Sequence, residues 1–118
     1  MKTYYAGAGF FNDGLVFVTW DEKVVAPLKL RLDLRNHSPT GFGWGYAGSG
    51  PAQLALAILA DCVGDERALA NYMAFKFRVI ALLPQEEGFE LDEADIVKTV
   101  EDIERARAAE RAKAAQEG

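Results

Sequence analysis

Between Arg35 and Leu59 the chain reads RNHSPTGFGWGYAGSGPAQLALAIL, and the glycines at 41, 43, 45, 48 and 50 constrain the fold more than any other feature. Glycine weakens the interior of either regular element, so neither a helix nor a strand is expected to run through them. They divide the chain into a first part suited to strands and a second with helical spacing. KTYYAG at 2–7 and GLVFVTW at 14–20 are rich in aromatic and β-branched residues and are separated by the loop AGFFND. Asp21, Glu22 and Lys23 then turn the chain into a third strand. In PLKLRLDLR, Leu28, Leu30, Leu32 and Leu34 alternate with Lys29, Arg31, Asp33 and Arg35, a period of two that predicts a strand with one inward face. Pro27 has no amide to donate, which places it at a strand end or edge.

After the glycines, PAQLALAILADCV sets Leu54, Ile58 and Leu59 at helical spacing, with Pro51 suited to the first helical position and Ser49 to the cap. Gly64 ends this helix, and Asp65 is expected to cap a second. The second helix carries an apolar stripe of Leu69, Tyr72, Met73, Phe77, Ile80 and Leu83 and stops at Pro84. GFEL reads as a short strand or extended link. Asp92 and Asp95 resemble a capping pair for a third helix whose inward face is Ile96, Val97, Val100 and Ile103. From Glu104 onward, strong helix formers occur without a large apolar residue, which predicts a helix that is exposed, frayed or packed on another subunit.

The 118 residues fit one domain, a length at which roughly two-thirds of the unfolded chain's surface is buried. These patterns predict an α+β fold: a small antiparallel sheet of three to four strands against two to three helices, over residues 1–103, with a helical tail at 104–118. A net charge of -5 argues against a general nucleic-acid binder, because phosphate backbones require a basic face. Cys62 is the only cysteine and cannot form an internal bridge, which favours a reducing compartment and the role of a small buried hydrophobe. The N-terminus has no apolar signal block, and no apolar stretch approaches a bilayer span, so a cytoplasmic location without membrane attachment is expected.

Gly43-Trp44-Gly45-Tyr46-Ala47-Gly48 spells G-x-G-x-x-G, yet NHSPTGF intervenes after the preceding strand and a second helix follows the first, which a parallel crossover does not allow. Gly45 and Gly50 have the spacing of a P-loop, but Pro51 and Ala52 stand where Lys and Ser or Thr belong. The general feature that survives is Gly48-Ser49-Gly50 ahead of a helix, whose amides and dipole suit an anion. Arg35, Asn36 and His37 add charge and hydrogen bonds nearby, and Trp44 and Tyr46 add faces on which a base stacks. The same glycines also suit a tight chain reversal, and the same rings suit the end of a core.

Ser49, His37 and either Asp33 or Asp61 form a triad only on paper, because the string around Ser49 lacks the first glycine of a nucleophile elbow. His37 between Asn36 and Ser38 reads as a turn residue, and one His with one distant Cys does not make a zinc site. Glu86, Glu87 and Glu90 read as a solvated charge run. No catalytic residue, cofactor or metal is therefore expected.

LRLDLRNHSPTGFGWGYAGSGPAQLALAIL, followed by NYMAFKFRVIALLP and FELDEADI, resembles a family of short uncharacterised proteins of bacteria, phages and other mobile elements. The likeness covers residues 28 to 96, loosely includes the opening TYY-AG, and hardly touches the alanine-rich tail. Gly43 stands where the family usually has glutamate and Ala47 where it usually has glycine, which makes the G-x-G-x-x-G string incidental. The resemblance implies a shared surface of Arg35, Asn36, His37 and Ser38 with Trp44, Tyr46, Ser49 and Gln53, to which the helix start adds Gly50. It further implies an accessory role such as interference with host defence. The resulting expectation is a non-enzymatic protein that binds an anionic, nucleotide-like small molecule. The alternative is a protein-interaction module that inhibits a host complex. Self-association is also expected, since a helix over residues 92–116 would be about 37 Å long, more than the core needs.

Overall fold

Aromatic and β-branched residues form three of the four strands, β1 (Lys2–Ala6), β2 (Phe17–Trp20) and β3 (Val24–Pro27), and GFEL supplies most of β4 (Phe89–Asp92). The computed structural model describes residues 1–8, 13–21 and 23–117. Most of the loop expected between the first two strands therefore lies outside the described residues, as does Glu22 of the next turn. The sheet is antiparallel throughout, in the order β3-β2-β1-β4. Tyr4 stands opposite both Val18 and Leu91, and Val18 stands opposite Ala26. This register places Tyr4, Val18 and Ala26 on the face that meets the helices, where Tyr4 and Val18 are buried. Tyr5 and Phe17 pair on the opposite face, with ring centroids 5.9 Å apart.

The leucine alternation from Leu28 to Arg35 does not form the expected strand. Pro27 is the last residue of β3, and Leu28 makes one further sheet-like bond, N to Val16 O at 2.8 Å. The backbone then leaves the extended region: Arg31 has φ 60°, and Leu34 N donates to Arg31 O at 3.0 Å to close a turn. Leu28, Leu30 and Leu34 still pack on the core, whereas Leu32 is 37% exposed. The apolar period was thus a correct sign of burial for three leucines, but it did not specify an extended backbone.

Helix α1 (Ser49–Val63) is buried continuously from Gly50 to Ala60. Its alanines and leucines face the sheet on one side and the other helices elsewhere, as expected of a helix that is apolar all round. It starts at Ser49, with Gly48 in the cap position and no side-chain cap, so Pro51 is the third helical residue and Ser49 is not the cap. Gly64, at φ 94°, joins α1 to α2 (Asp65–Arg78) and occupies the cap position expected for Asp65. On α2 the stripe is rotated from the expected one: Ala68, Tyr72 and Phe75 are buried, while Met73 and Phe77 are exposed. The helix ends at Arg78, and Ile80 is buried from a short 3-10 turn, Ile80–Leu82, that Pro84 follows.

Helix α3 (Glu93–Glu117) follows β4 directly and buries Ile96, Val100 and Ile103. Arg67 grips Glu104 through two bonds, Nη2 to Oε1 at 2.7 Å and Nε to Oε2 at 3.2 Å, which ties α2 to the middle of α3. The Arg67 guanidinium holds the Glu104 carboxyl below its ordinary range. This clamp is therefore complete above the ordinary glutamate pKa and is lost as pH falls through the lowered one. Residues 108–117 continue the helix in exposed form. The turn at Arg31 makes a direct prediction: Leu32→Lys should change unfolding free energy by no more than about 0.5 kcal/mol. Leu54→Ala, in fully buried α1, should cost about 2–5 kcal/mol, and urea denaturation of the two variants measures both.

Candidate functional site

The glycine-rich passage folds mainly around its own aromatic residues. Trp44 is fully buried, donates from Nε1 to Pro84 O at 3.1 Å, and meets the Phe89 ring edge-on with centroids 5.1 Å apart. It has no open face for a base. Tyr46 lies over three glycines: a Cβ at Gly43 would stand 2.5 Å from its Oη, at Gly48 2.7 Å from its Cε2, and at Gly50 2.9 Å from its Oη. The spacing that imitates a dinucleotide fingerprint is the seat of a tyrosine ring, which remains 43% exposed. Gly45 N donates to Ile80 O at 2.9 Å, and Gln85 Nε2 donates to Gly45 O at 3.2 Å, which fastens the passage to the segment after α2.

The approach to this passage, residues 30–38, is organised by one buried side chain. Gln53 projects from α1 with 0% exposure. Its Oε1 accepts from the amides of His37 at 2.8 Å and Ser38 at 3.1 Å, while its Nε2 donates to the carbonyls of Leu30 at 2.6 Å and Arg35 at 3.1 Å. Two acceptor positions and two donor hydrogens are thereby all used, leaving none for a ligand. His37 Nε2 lies 2.9 Å from the hydroxyl of buried Tyr72. Ser38 Oγ donates to Gly41 O at 2.7 Å, and the exposed Arg35 donates from Nη1 to the Leu34 carbonyl at 2.7 Å.

Of the residues expected to form a binding surface, Ser38, Tyr46, Ser49 and Gly50 do come together, with Thr40 and Asp13, around an open depression of about 470 Å³. Arg35, Asn36, His37, Trp44 and Gln53 do not line it. The amides of Ser49 and Gly50 make no hydrogen bond to a described residue, and the first intrahelical bond there is Ala52 N to Gly48 O at 3.0 Å. These amides carry the partial positive charge of the α1 N-terminus.

A second concavity, absent from the sequence expectations, lies between the β2–β3 edge and α1 and holds about 380 Å³. Val18, Ala26 and Ala57 contribute apolar surface, and the Leu28–Arg31 segment forms one side. Arg31 binds two carboxylates, Asp33 through Nε and Nη2 at 3.0 and 3.1 Å and Asp65 through Nη1 and Nη2 at 3.0 and 2.9 Å. Asp61, at the other side, accepts on Oδ2 from Tyr4 Oη at 2.6 Å and Lys2 Nζ at 3.2 Å. Lys2 Nζ also sits 5.1 Å from the Trp20 ring centroid. Burial, reinforced by Asp61, raises the Tyr4 pKa, and burial pushes the Cys62 thiol up to about 11. The signal that could have found this cleft is Asp61, an acid alone within the apolar run QLALAILADCV. Among the described residues no His, Cys, Asp and Glu cluster could hold a metal, and no helix is long and apolar enough to cross a membrane.

A four-stranded antiparallel sheet backed by a buried helix, with two concavities beside that helix, defines a small α+β domain. The chain belongs to the Family of unknown function (DUF6166), whose model matches residues 5–102. That span takes in the end of β1, the other three strands, α1, α2 and the first part of α3, and ends before the exposed helical extension. No curated protein and no solved structure matches the chain.

Two outcomes follow from the bonding and burial of these side chains. Gln53→Ala leaves two amides and two carbonyls unmatched and should destabilise the domain by about 3 kcal/mol or more, read from chemical denaturation. With burial pushing its thiol pKa up to about 11, Cys62 should react with iodoacetamide at pH 8 roughly tenfold or more slower than a free thiol, as timed by mass spectrometry.

Proposed function

We propose that this chain is a non-enzymatic binding protein that holds an anionic, nucleotide-like small molecule in the depression at the start of α1. The supporting observation is the grouping of the Ser49 and Gly50 amides, which bond no described residue, with Ser38, Thr40 and Tyr46 around that depression, which Asp13 also borders. The amides and the helix dipole would receive the anionic group, with the hydroxyls of Thr40 and Ser49 beside it. Tyr46, 43% exposed, borders the same depression. Arg35 stands outside the lining as an exposed cation whose guanidinium bonds the neighbouring carbonyl. Binding is favoured over catalysis because the single histidine is engaged by Tyr72 and stands outside the depression. In a mobile element, such a site would sequester a nucleotide signal of host defence.

The second reading, an interaction module or self-associating protein, is favoured by exposed Phe77 and Met73 one turn apart on α2 and by the exposed residues 108–117. Sedimentation of the full chain and of a form lacking residues 108–117 would show a change of mass if that extension joins two copies.

A thermal-shift series with mono-, di- and cyclic nucleotides, and with pyrophosphate, tests the first reading. A ligand at a hundred times its Kd adds about 2.7 kcal/mol, which raises Tm by roughly 10 °C in a domain of this length. Ser49→Asp places a carboxylate that suits the helix start and repels an anion. It should keep the fold and abolish the shift. Absence of a shift with every anion up to millimolar concentration, or a shift unchanged by Ser49→Asp, rejects this site.

A further inference from the structure

We propose that the exposed face of α2 around Met73 and Phe77 is a docking surface for an acidic amphipathic helix of another protein. It rests on the reading of the chain as an interaction module and adds the chemistry of the partner. Glu66, Ala70, Met73 and Phe77 succeed one another at helical spacing along α2, and all four are exposed. Met73 and Phe77 are therefore an adjoining apolar pair on one face, which marks a contact surface more strongly than a single exposed side chain does.

The charge of the partner follows from the groups around that pair. Residues 67–85 contain Arg67, Lys76 and Arg78 and no acid, in a chain whose net charge is -5. Lys76 is only 6% exposed, and its ammonium lies 4.2 Å from the centroid of the Phe77 ring. It makes no ion pair or hydrogen bond among the described residues. Its stem is buried and its charge meets an aromatic face, so no carboxylate of this chain neutralises it. At the other end of the pair, Arg107 Nη2 donates to the Ala70 carbonyl at 2.9 Å, one turn before Met73. Glu104 feels the charge of Arg107 but is held by two bonds from Arg67. Arg67 and Glu104 cancel, and Lys76 and Arg107 leave the face positive. Glu66, the acid on the same stripe, stands about 16 Å along the helix from Phe77.

The form of the partner follows from what α2 can offer. Its main-chain groups are bonded within the helix, so an extended strand would find no backbone to pair with. Side chains one turn apart instead match apolar residues recurring at that interval on a second helix. Carboxylates flanking that apolar row would meet Lys76 and Arg107. The helical extension of a second copy does not supply them, since it sets Arg107, Arg111 and Lys113 against Glu110 and Glu117.

The test uses three labelled peptides of one amphipathic design, with leucines a turn apart on one face and glutamate, glutamine or lysine on the flanks. Each is titrated into the full chain, with affinity read from fluorescence anisotropy and the site from the Met73 methyl resonance. The glutamate peptide should shift Met73 saturably and bind about fivefold more tightly than the glutamine peptide, with the lysine peptide weakest. Added salt should weaken the glutamate peptide and leave the glutamine peptide nearly unchanged. Phe77→Ser, at an exposed position, should keep the fold and weaken both. Lys76→Met retains an apolar stem and should remove most of the glutamate preference, whereas Lys76→Arg keeps it. Equal binding of the glutamate and glutamine peptides at Met73 overturns the acidic partner and leaves the interaction module standing. No shift of Met73 with any peptide overturns both. A glutamate preference unmoved by salt and by Lys76→Met also overturns the proposal.

Discussion

The arrangement depends on the buried amide of Gln53. Helix α1 is inaccessible to solvent along most of its length, and Gln53 is the polar side chain within its fully buried run from Gly50 to Ala60. An unmatched amide there would carry a large desolvation cost. The chain from Leu30 to Ser38 supplies the matching groups, two carbonyls and two amides, and so is drawn across α1 in an irregular path. Backbone groups that would otherwise need a neighbouring strand are satisfied by a side chain. The same bonds set the starting point of the segment that reaches Thr40 and Gly41 at the depression.

This explains which parts of the architecture could be read from sequence. The runs containing Tyr4 and Val18 are strands, and the Ala- and Leu-rich run after Pro51 is a helix, because local propensity and burial agree there. Leu28 to Arg35 carries the most regular alternation in the chain, yet it turns at Arg31. Periodicity reports which side chains are buried, whereas the hydrogen-bond partner that decides between strand and loop lies 18 residues away from Arg35, in Gln53. The rotation of α2 has a similar origin: Phe75 and Phe77 are both apolar, and only the positions of α1 and α3 decide that Phe75 is inside.

The candidate surface was legible in part for a related reason. Glycines near a helix start suit either a guest or a close internal contact. Here the internal contact, the Tyr46 ring against Gly43, Gly48 and Gly50, accounts for the close approach of the backbone. What remains for a guest is the pair of amides at Ser49 and Gly50, which bond no described residue. Trp44, two residues from Tyr46, belongs to the core because its indole reaches Phe89 and the Pro84 carbonyl. Sequence proximity placed these two aromatics together, but the backbone turn at Gly45 (φ 82°) between them sends their rings to different surroundings.

The far end of α1 shows why the cleft is stable beside so polar a margin. A carboxylate in the last turn of a helix opposes the helix dipole, and Asp61 occupies that turn. Lys2 from β1 meets both problems at once, donating from Nζ to Asp61 Oδ2 at 3.2 Å and to the Asp61 carbonyl at 3.3 Å. One cation therefore offsets the carboxylate and binds one of the helix's terminal acceptors. The Tyr4 hydroxyl adds a donor to the same oxygen from the same strand face, two residues along. The first strand and the central helix are thus joined by a polar contact as well as by apolar packing, and the charges of Lys2 and Asp61 are spent on each other.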